Sequence, residues 1–485
     1  MSFYAGVDSS TQSTKVVLYD QSGLPVGAGS APHTPTFPPV SEQDPESWWQ
    51  ALIAALGRAA EDAGVDLADV QAISVAAQCH GLVALDARGR VLRAAKLWND
   101  TTSAPQMQRL LDRLGPAEWA QRVGSVPTSA FTVSKLLWLQ ENDPGSFRSL
   151  GSVLLPHDWL TWRMTGQRVT DRSEASGTGY FDASRGTYDL DILSLIDPAT
   201  DWEPLLPAVL GPTTAAGVIT EEAARDLGLR PGTLVGPGAG DQHASALGLG
   251  VGTEDVAYSF GTSGVVFSTS ANPVRDAAGI IDGVADAAGG YLPLVSTLNA
   301  ARVGDRFASW LNVNHAELSD LALNASTKNL PVLVAYLDGE RKPNLPAATG
   351  TLAGLTTSTT REQIARAAIE GVIFGLLRGE HALRNAGVPL AGRTIVTGGA
   401  SRSFAYPQLL ADLAQRPVYV SDAFEPVAAG AAIQAAACFQ NKDISEVRDA
   451  WAAPAHLAAE PRPDNESEDR FLRYLAASEA NRGDG

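Results

Sequence analysis

The first half of the chain alternates short apolar segments with turns and amphipathic stretches. Its predicted strands are residues 4–7, 15–19, 26–30 and 72–76, together with a hairpin that joins 82–85 to 91–92. Its predicted helices are residues 44–63 and much of 103–150. A glycine-rich turn at 236–241 leads into a further helix. This mixture of strands and helices indicates an α/β protein.

The second half repeats this pattern. A strand, a tight turn and a second strand are predicted at 256–267. A long helix is predicted at 361–385, because Thr360 and Gln363 form a capping box and small and apolar residues line one helical face. A strand at 394–397 ends in another glycine turn. The remaining predicted elements are a strand at 418–420 and an alanine-rich helix at 425–439.

Two similar segments lie half the chain apart. The first runs through residues 4–18, and the second contains the turn Gly261-Thr262-Ser263-Gly264. Each is a strand, a turn of Gly, Ser and Thr, and a second strand. Such turns present backbone N–H groups and hydroxyls at one point, which suits phosphate oxygens. One turn in each half predicts a duplicated, two-lobed protein that binds a polyphosphate in the cleft between its lobes.

Length and charge narrow the classes of protein that fit. The 485 residues are too many for one core and suit two large domains, which we predict to be 1–248 and 249–485. The formal net charge of -18 argues against binding nucleic acid or an anionic membrane through bulk charge. A phosphorylated ligand would therefore need local contacts, which the two turns offer.

Cysteine content and apolar runs bear on location. Cys79 and Cys438 stand far apart, which argues against a disulfide framework or a zinc site and fits a reducing cytosol. Residues 1–4 lack the basic and apolar regions of a signal peptide, and no run approaches the length of a membrane span. We therefore expect a cytoplasmic protein.

The first turn carries candidate metal and phosphate ligands. Asp8 ends a buried strand and precedes a run rich in hydroxyl groups. Its carboxylate can hold Mg²⁺ or the waters of that ion, while Ser10 and Thr11 can contact phosphate oxygens. Lys15 would add a positive charge. The alternative is a polar hairpin in which Asp8 accepts hydrogen bonds from turn amides.

Asp241 is the predicted catalytic residue. It follows a glycine run at the end of a strand and begins a helix, and ligands of open α/β sheets bind in that crevice. An ionised carboxylate can accept the proton that a sugar hydroxyl loses as it attacks phosphorus. The alternative is an ordinary helix-capping aspartate. The preceding glycines favour catalysis, because they let ligand and backbone approach closely.

Three further segments have two interpretations each. Gly398-Gly399-Ala400-Ser401 lacks the lysine of a P-loop; it suits a nucleotide edge or a plain turn. Cys79-His80 follows a buried strand, and its histidine suits either sugar hydroxyls or a structural hydrogen bond. Trp98-Asn99-Asp100 offers an aromatic floor with polar groups for a sugar, and also suits a turn.

In these motifs the chain resembles the FGGY family of carbohydrate kinases, and within it the xylulokinase branch. The resemblance runs from about residue 3 to residue 440. The stretches that carry it are Gly6–Thr11, Ser41–Pro45 with Trp48-Trp49, Pro156–Gly166 continuing to Ala175–Thr178, and Tyr336–Arg341 with Pro343.

The resemblance implies two actin-like, ribonuclease-H-like domains with ATP between them. It also implies transfer of the γ-phosphoryl group of MgATP to a sugar hydroxyl, with Asp241 as the base and D-xylulose as the expected substrate. The predicted nucleotide contacts are Asp8, Ser10, Thr11, Lys15, Gly261, Thr262, Gly398, Gly399 and Ala400, with Asp8 and Asp241 as metal ligands. The predicted sugar contacts are Cys79, His80, Trp98, Asn99, Asp241 and Gln242.

Three positions depart from the family pattern. Cys79 replaces a more usual methionine, Thr101-Thr102 stands where many relatives have an arginine, and Thr349-Gly350 stands where Arg-Gly is common. The first two lie near the expected sugar pocket and bear on which sugar is bound. Kinase action on ribulose, gluconate or glycerol is the alternative, and a non-catalytic sugar-sensing protein is an alternative of another class. A homodimer is left open.

Overall fold

The first half of the chain forms a lobe around one large mixed sheet, and the computed structural model describes residues 2–481. The strands of this N-terminal lobe are β1 (Phe3–Ser9), β2 (Ser13–Asp20), β3 (Pro25–Pro32), β4 (Glu42–Gln43), β5 (Val70–Ala77), β6 (Val83–Leu85), β7 (Ala95–Lys96), β8 (Ser152–Leu154), β9 (Val169–Asp171), β10 (Phe181–Asp182), β11 (Thr187–Tyr188), β12 (Ala208–Leu210), β13 (Gly217–Val218), β14 (Leu234–Val235) and β15 (Ala239–Gly240). Its helices are α1 (Pro45–Ala63), α2 (Ala104–Leu114), α3 (Pro116–Val123), α4 (Thr132–Asn142), α5 (Pro144–Arg148), α6 (Pro156–Thr165), α7 (Arg172–Ser176), α8 (Leu190–Ser194), α9 (Glu221–Leu227) and α10 (Asp241–Gly248).

The second half forms the C-terminal lobe around a sheet of its own. Its strands are β16 (Val256–Phe260), β17 (Gly264–Phe267), β18 (Asp282–Ala285), β19 (Tyr291–Thr297), β20 (Val332–Val334), β21 (Thr351–Ala353), β22 (Thr394–Thr397), β23 (Val418–Ser421) and β24 (Ala455–Ala459). Its helices are α11 (Ala301–Leu311), α12 (His315–Asn324), α13 (Arg361–Asn385), α14 (Ala405–Ala414), α15 (Pro426–Gln440), α16 (Ile444–Trp451) and α17 (Ser467–Ala480).

The two large sheets share one topology at their centres. The strand order is β13-β14-β5-β1-β2-β3 in the N-terminal lobe and β18-β19-β17-β16-β22-β23-β24 in the C-terminal lobe. β1 pairs antiparallel with β2 and parallel with β5. In the same way β16 pairs antiparallel with β17 and parallel with β22. The predicted duplication is therefore confirmed.

Local sequence signals predicted some elements better than others. Helix α13 has the predicted bounds, and Thr360 and Gln363 form the predicted capping box. The predicted hairpin at 82–92 is present but short: Leu85 bridges Val91, and the Leu92 N–H donates to the Ala84 carbonyl at 2.9 Å, while the longer ladder of β6 is formed with β8. The apolar returning segment is only two residues long, whereas the fully buried β8 supplies a longer ladder.

Helices α10 and α15 lie between the two large sheets and connect the lobes. Helix α15 covers the face of the N-terminal sheet that points towards the C-terminal lobe, and α1 covers the opposite face. Helix α10 packs against α15 and against the C-terminal sheet, whose far face is covered by α13. The turns that follow β1 and β16 therefore lie on the same side of the molecule and face one cleft.

Two observations bear on the environment of the chain. Cys79 and Cys438 are both free thiols. Among residues 2–481, each helix is either too short or too polar to cross a lipid bilayer.

Candidate active site

A cavity of about 180 Å³ lies between the two lobes. The N-terminal lobe lines it with the ends of β1 and β5 and with the start of α10, and the C-terminal lobe closes it with β17, β18 and β19. The sequence-predicted residues that line it are Thr11, Cys79, His80, Trp98, Asp241 and Gln242. Ser263, from the second turn, lines it from the opposite lobe. The structure thus brings five of the six predicted sugar residues, all but Asn99, and a residue of each turn to one place.

Asp241 is the first residue of α10 and lies on the floor of this cavity. The backbone N–H of Gln242 donates to its Oδ1 at 2.7 Å, and the Cys79 thiol donates to the same oxygen at 3.5 Å. Burial raises the pKa of Asp241, although these hydrogen bonds act in the opposite direction. A carboxylate so placed can accept a proton from a hydroxyl group held in the cavity.

Asp8 lies near Asp241 at the end of β1. It is 6% exposed, and its Oδ1 has no hydrogen-bond partner within the described part of the chain. The pKa of Asp8 is raised to about 7, chiefly by burial and then by the nearby Asp241 carboxylate, while Lys15 acts in the opposite direction. The buried Asp8 carboxylate and the partly buried Asp241 carboxylate repel one another and form a set of oxygen donors suited to a hard divalent cation.

The first turn uses its hydroxyl groups for different tasks. Ser10 closes the turn, because both its backbone N–H and its Oγ donate to the Ser13 carbonyl. Thr11 accepts from the Trp98 indole N–H at 2.9 Å and donates to Gln78 at 3.2 Å. The turn is therefore joined to the aromatic floor of the cavity.

Lys15 makes a contact that the sequence did not predict. Its ammonium group forms an ion pair of 2.6 Å with Glu425, directly before α15. Both side chains are about one-third exposed, at 35% and 34%. Much of the positive charge near the first turn is thus compensated by a carboxylate of the C-terminal lobe.

The second turn and the predicted adenosine segment lie side by side. Gly261 and Thr262 connect β16 to β17, and the Gly261 carbonyl accepts from the N–H of Ala301 at the start of α11. Gly398 has φ of +88°, and a Cβ there would lie 2.6 Å from the Phe260 carbonyl oxygen. Glycine is therefore required for this close approach.

Gly399 and Ala400 begin a short 3₁₀ helix at Gly399–Arg402, beside the second turn but outside the cavity. Gly399 is exposed, and a Cβ there would meet no atom within 4 Å among the described residues. This surface is open to a ligand that extends from the cleft.

His80 lines the cavity and is held in place by two contacts. It adopts φ of +68°, its Nδ1 lies 2.6 Å from the Gly177 carbonyl, and its ring stacks on Phe131 at 4.7 Å. The pKa of His80 is lowered to about 3, chiefly by burial and then by the charge of Lys135. The ring is therefore neutral, with the proton on Nδ1 and the lone pair of Nε2 left as an acceptor.

Of the neighbouring residues Trp98 and Asn99, only Trp98 lines the cavity. The Arg341 guanidinium lies over the Trp98 ring at 4.9 Å. Asn99 lies outside the cavity, and its Oδ1 is buried with no partner inside residues 2–481. Arg341 therefore reaches from the C-terminal lobe across the cleft to the N-terminal lobe.

Sequence reasoning missed four residues close to the site. Arg341 and Lys342 line the cavity, and Lys342 pairs with Asp282 at 2.9 Å. Glu174 and His243 are buried directly behind Cys79. The signal for Arg341 was its place in the family stretch at 336–341, but no local pattern showed that it would enter the cavity.

Comparisons with known proteins agree with this architecture. Residues 3–248 match the N-terminal domain and residues 256–438 match the C-terminal domain of the FGGY family of carbohydrate kinases. The chain belongs to this family, and its two-lobed, actin-like α/β fold is confirmed. It is a carbohydrate kinase, whose substrates are a sugar and ATP.

Individual relatives are similar over nearly the whole chain. A xylulose kinase of Streptomyces coelicolor is 42% identical, and the match covers 92% of this chain and 90% of that protein. The crystal structure of xylulose kinase from Bifidobacterium adolescentis matches with a TM-score of 0.84 and 36% identity, covering 98% of this chain and 99% of that one. The structure of gluconate kinase from Lactobacillus acidophilus matches with a TM-score of 0.92 and 25% identity, covering 100% and 99%.

Proposed function

We propose that this chain transfers the γ-phosphoryl group of ATP to D-xylulose and releases D-xylulose 5-phosphate. The relatives named as xylulose kinases support this choice of sugar. The observation that carries the reaction is the placement of Asp241. Its carboxylate lies in a cavity lined by both lobes, and the predicted sugar contacts and Thr11 of the first turn line the same cavity.

Asp241 accepts the proton of the attacking sugar hydroxyl in this proposal. The raised pKa of Asp241 makes the carboxylate a better proton acceptor than an exposed aspartate, and a positioned base contributes about 10²–10⁴-fold to rate. Closure of the lobes excludes water, so that the sugar hydroxyl and not water attacks the phosphorus atom.

Asp8 and Asp241 would hold a Mg²⁺ ion. They are oxygen donors close to one another, and the unpartnered Oδ1 of Asp8 fits a cation ligand. Held by these carboxylates, Mg²⁺ would neutralise the negative charge that develops on the phosphate oxygens during transfer. Thr11 from one turn and Thr262 from the other would contact the phosphates, and Gly398–Ala400 would contact the adenosine.

The sugar lies between His80 and Trp98 in this proposal. The neutral His80 ring offers Nε2 as an acceptor for a sugar hydroxyl. Arg341 covers the Trp98 ring from the other lobe, so its N–H groups can donate to sugar oxygens once the cleft closes. Cys79 lines the same cavity and donates to Asp241, which fixes the orientation of the carboxylate.

A coupled ADP-release assay over a panel of D-xylulose, D-ribulose, D-gluconate and glycerol tests the proposal. We expect the highest kcat/KM for D-xylulose. A higher kcat/KM for D-gluconate would support the alternative that the gluconate kinase relative raises. Absence of ADP release with every sugar would support a sugar-sensing protein instead. The reaction takes place in the cytoplasm in this proposal, which the two free thiols support.

A further inference from the structure

The fold gathers a thiol, a carboxylate and an imidazole at the wall of the cavity, with Cys79 and His243 lining it and Glu174 behind them. Donor atoms of Cys79, Glu174 and His243 lie within 4.8 Å of one another. The three residues come from β5's end, α7 and α10, which are far apart in the sequence. The spacing of the two cysteines gave no sign of a zinc site, because it could not show that Cys79 meets Glu174 and His243 in the folded chain.

Two of the three side chains are buried without hydrogen-bond partners. Glu174 is 0% exposed and His243 is 3% exposed. Both oxygens of Glu174 and both ring nitrogens of His243 lack a partner among the residues described. Buried polar atoms are nearly always satisfied, so four unpaired donor and acceptor atoms in one cluster point to a ligand.

The atoms converge on one point. His243 Nδ1, Cys79 Sγ and Glu174 Oε1 lie 2.5, 2.6 and 2.7 Å from the place where a Cβ would stand on Gly240. Because residue 240 is glycine, no side-chain atom fills that place. A fourth donor is adjacent, since Asp241 Oδ1 lies 3.5 Å from Cys79 Sγ.

We propose that Cys79, Glu174 and His243, completed by Asp241, bind one divalent cation of the zinc class. Sulfur and nitrogen donors select Zn²⁺ over Mg²⁺, which prefers oxygen alone. Donors of a tetrahedral zinc site are about 3.5 Å apart, which the Cys79–Asp241 pair already matches. When the ion binds on the cavity side of Gly240, the donor atoms of Glu174 and His243 move about 1 Å towards it.

An ion bound there inhibits the enzyme, and this part rests on the proposed function. Cys79, His243 and Asp241 line the cavity, so the ion enters through it. Once bound, the ion occupies the carboxylate that accepts the sugar proton and withdraws the thiol from that carboxylate. Zn²⁺ therefore competes with the sugar.

Absorbance titration of the metal-free full-length chain with Co²⁺, without ATP or sugar, tests the site. We expect a thiolate-to-cobalt charge-transfer band that saturates at one ion per chain and disappears when Zn²⁺ is added. Cys79→Ser abolishes the band, whereas Cys438→Ser, which removes the other free thiol, leaves it unchanged. Glu174→Gln weakens Co²⁺ binding by at least about tenfold. Circular dichroism verifies that each variant is folded.

Three results would overturn the site: no band in the wild-type chain, a band retained by Cys79→Ser, or a band lost in Cys438→Ser. The inhibitory role has its own test, in which D-xylulose is varied at fixed MgATP and fixed free Zn²⁺. A raised apparent KM for the sugar supports it, and a lowered kcat with unchanged KM contradicts it. Because the titration needs no turnover, failure of the kinase proposal would leave the cobalt result standing.

Discussion

Replacement of Asp8 by asparagine gives a protein that loses activity but becomes relatively more stable as pH rises. Asp8 is buried beside the carboxylate of Asp241, and its pKa is raised from 3.8 to about 7. The folded chain therefore holds this proton more tightly than the unfolded chain. The resulting stabilisation is complete below about pH 4 and is lost as pH rises through about 7. Asparagine has no proton to lose, so it avoids this loss.

The size of the effect follows from the pKa shift. A shift of about three units, at about 1.36 kcal/mol per unit, amounts to about 4 kcal/mol above pH 7. Between about pH 5 and about pH 8.5, the titration of Asp8 lowers the free energy of unfolding by about 3 kcal/mol. The Asp8→Asn variant should gain that amount relative to the wild type over this interval.

Urea unfolding followed by tryptophan fluorescence measures this difference, with EDTA present so that divalent cations are absent. Asp191→Asn is the matched control, because its side chain is 90% exposed; we expect a change below about 0.5 kcal/mol at either pH. If the difference in free energy of unfolding between wild type and Asp8→Asn stays constant with pH, the pKa of Asp8 is not raised in the folded chain. Mg²⁺ should stabilise the wild type and leave the variant nearly unchanged.

Three further predictions concern the ligands. His80→Ala raises the KM for the ketose and leaves the KM for ATP unchanged, and unchanged sugar kinetics in this variant would remove His80 from the pocket. Because the pKa of His80 is about 3, its protonation causes no change in the wild-type sugar KM near neutral pH. Gly398→Ala destabilises the fold by about 1–3 kcal/mol in thermal unfolding and raises the ATP KM, whereas the control Gly399→Ala keeps wild-type stability. Equal stability of the two variants would contradict the close approach of Gly398 to the Phe260 backbone. Glu425→Gln releases Lys15 for phosphate and lowers the ATP KM by about two- to fivefold, the range of a partly exposed ion pair, while a raised KM would show that the pair itself is needed.

Features encoded by neighbouring residues could be predicted from the sequence. The two strand–turn–strand segments were visible because Gly, Ser and Thr interrupt apolar β-forming residues at each place. The bounds of α13 were predicted because a capping box is a signal within four residues. The placement of Asp241 at the start of α10 followed from the glycine run before it.

Contacts between distant residues could not be predicted in this way. Lys15 and Glu425 are 410 positions apart, and no local pattern indicates that an ion pair joins them. Arg341 reaches Trp98 only because the lobes face one another across the cleft. The grouping of Glu174 with Cys79 likewise depends on how α7 packs beside β15 and is invisible in the chain itself.

Single-turnover phosphorylation of D-xylulose by Asp241→Asn tests the central claim most directly. Asparagine keeps the shape of the side chain but cannot accept the proton of the attacking hydroxyl. We predict that the rate of phosphoryl transfer falls by about 10²–10⁴-fold. Calorimetry should show that ATP and D-xylulose still bind to the folded variant. A transfer rate within about tenfold of the wild type would contradict the assignment of Asp241 as the general base.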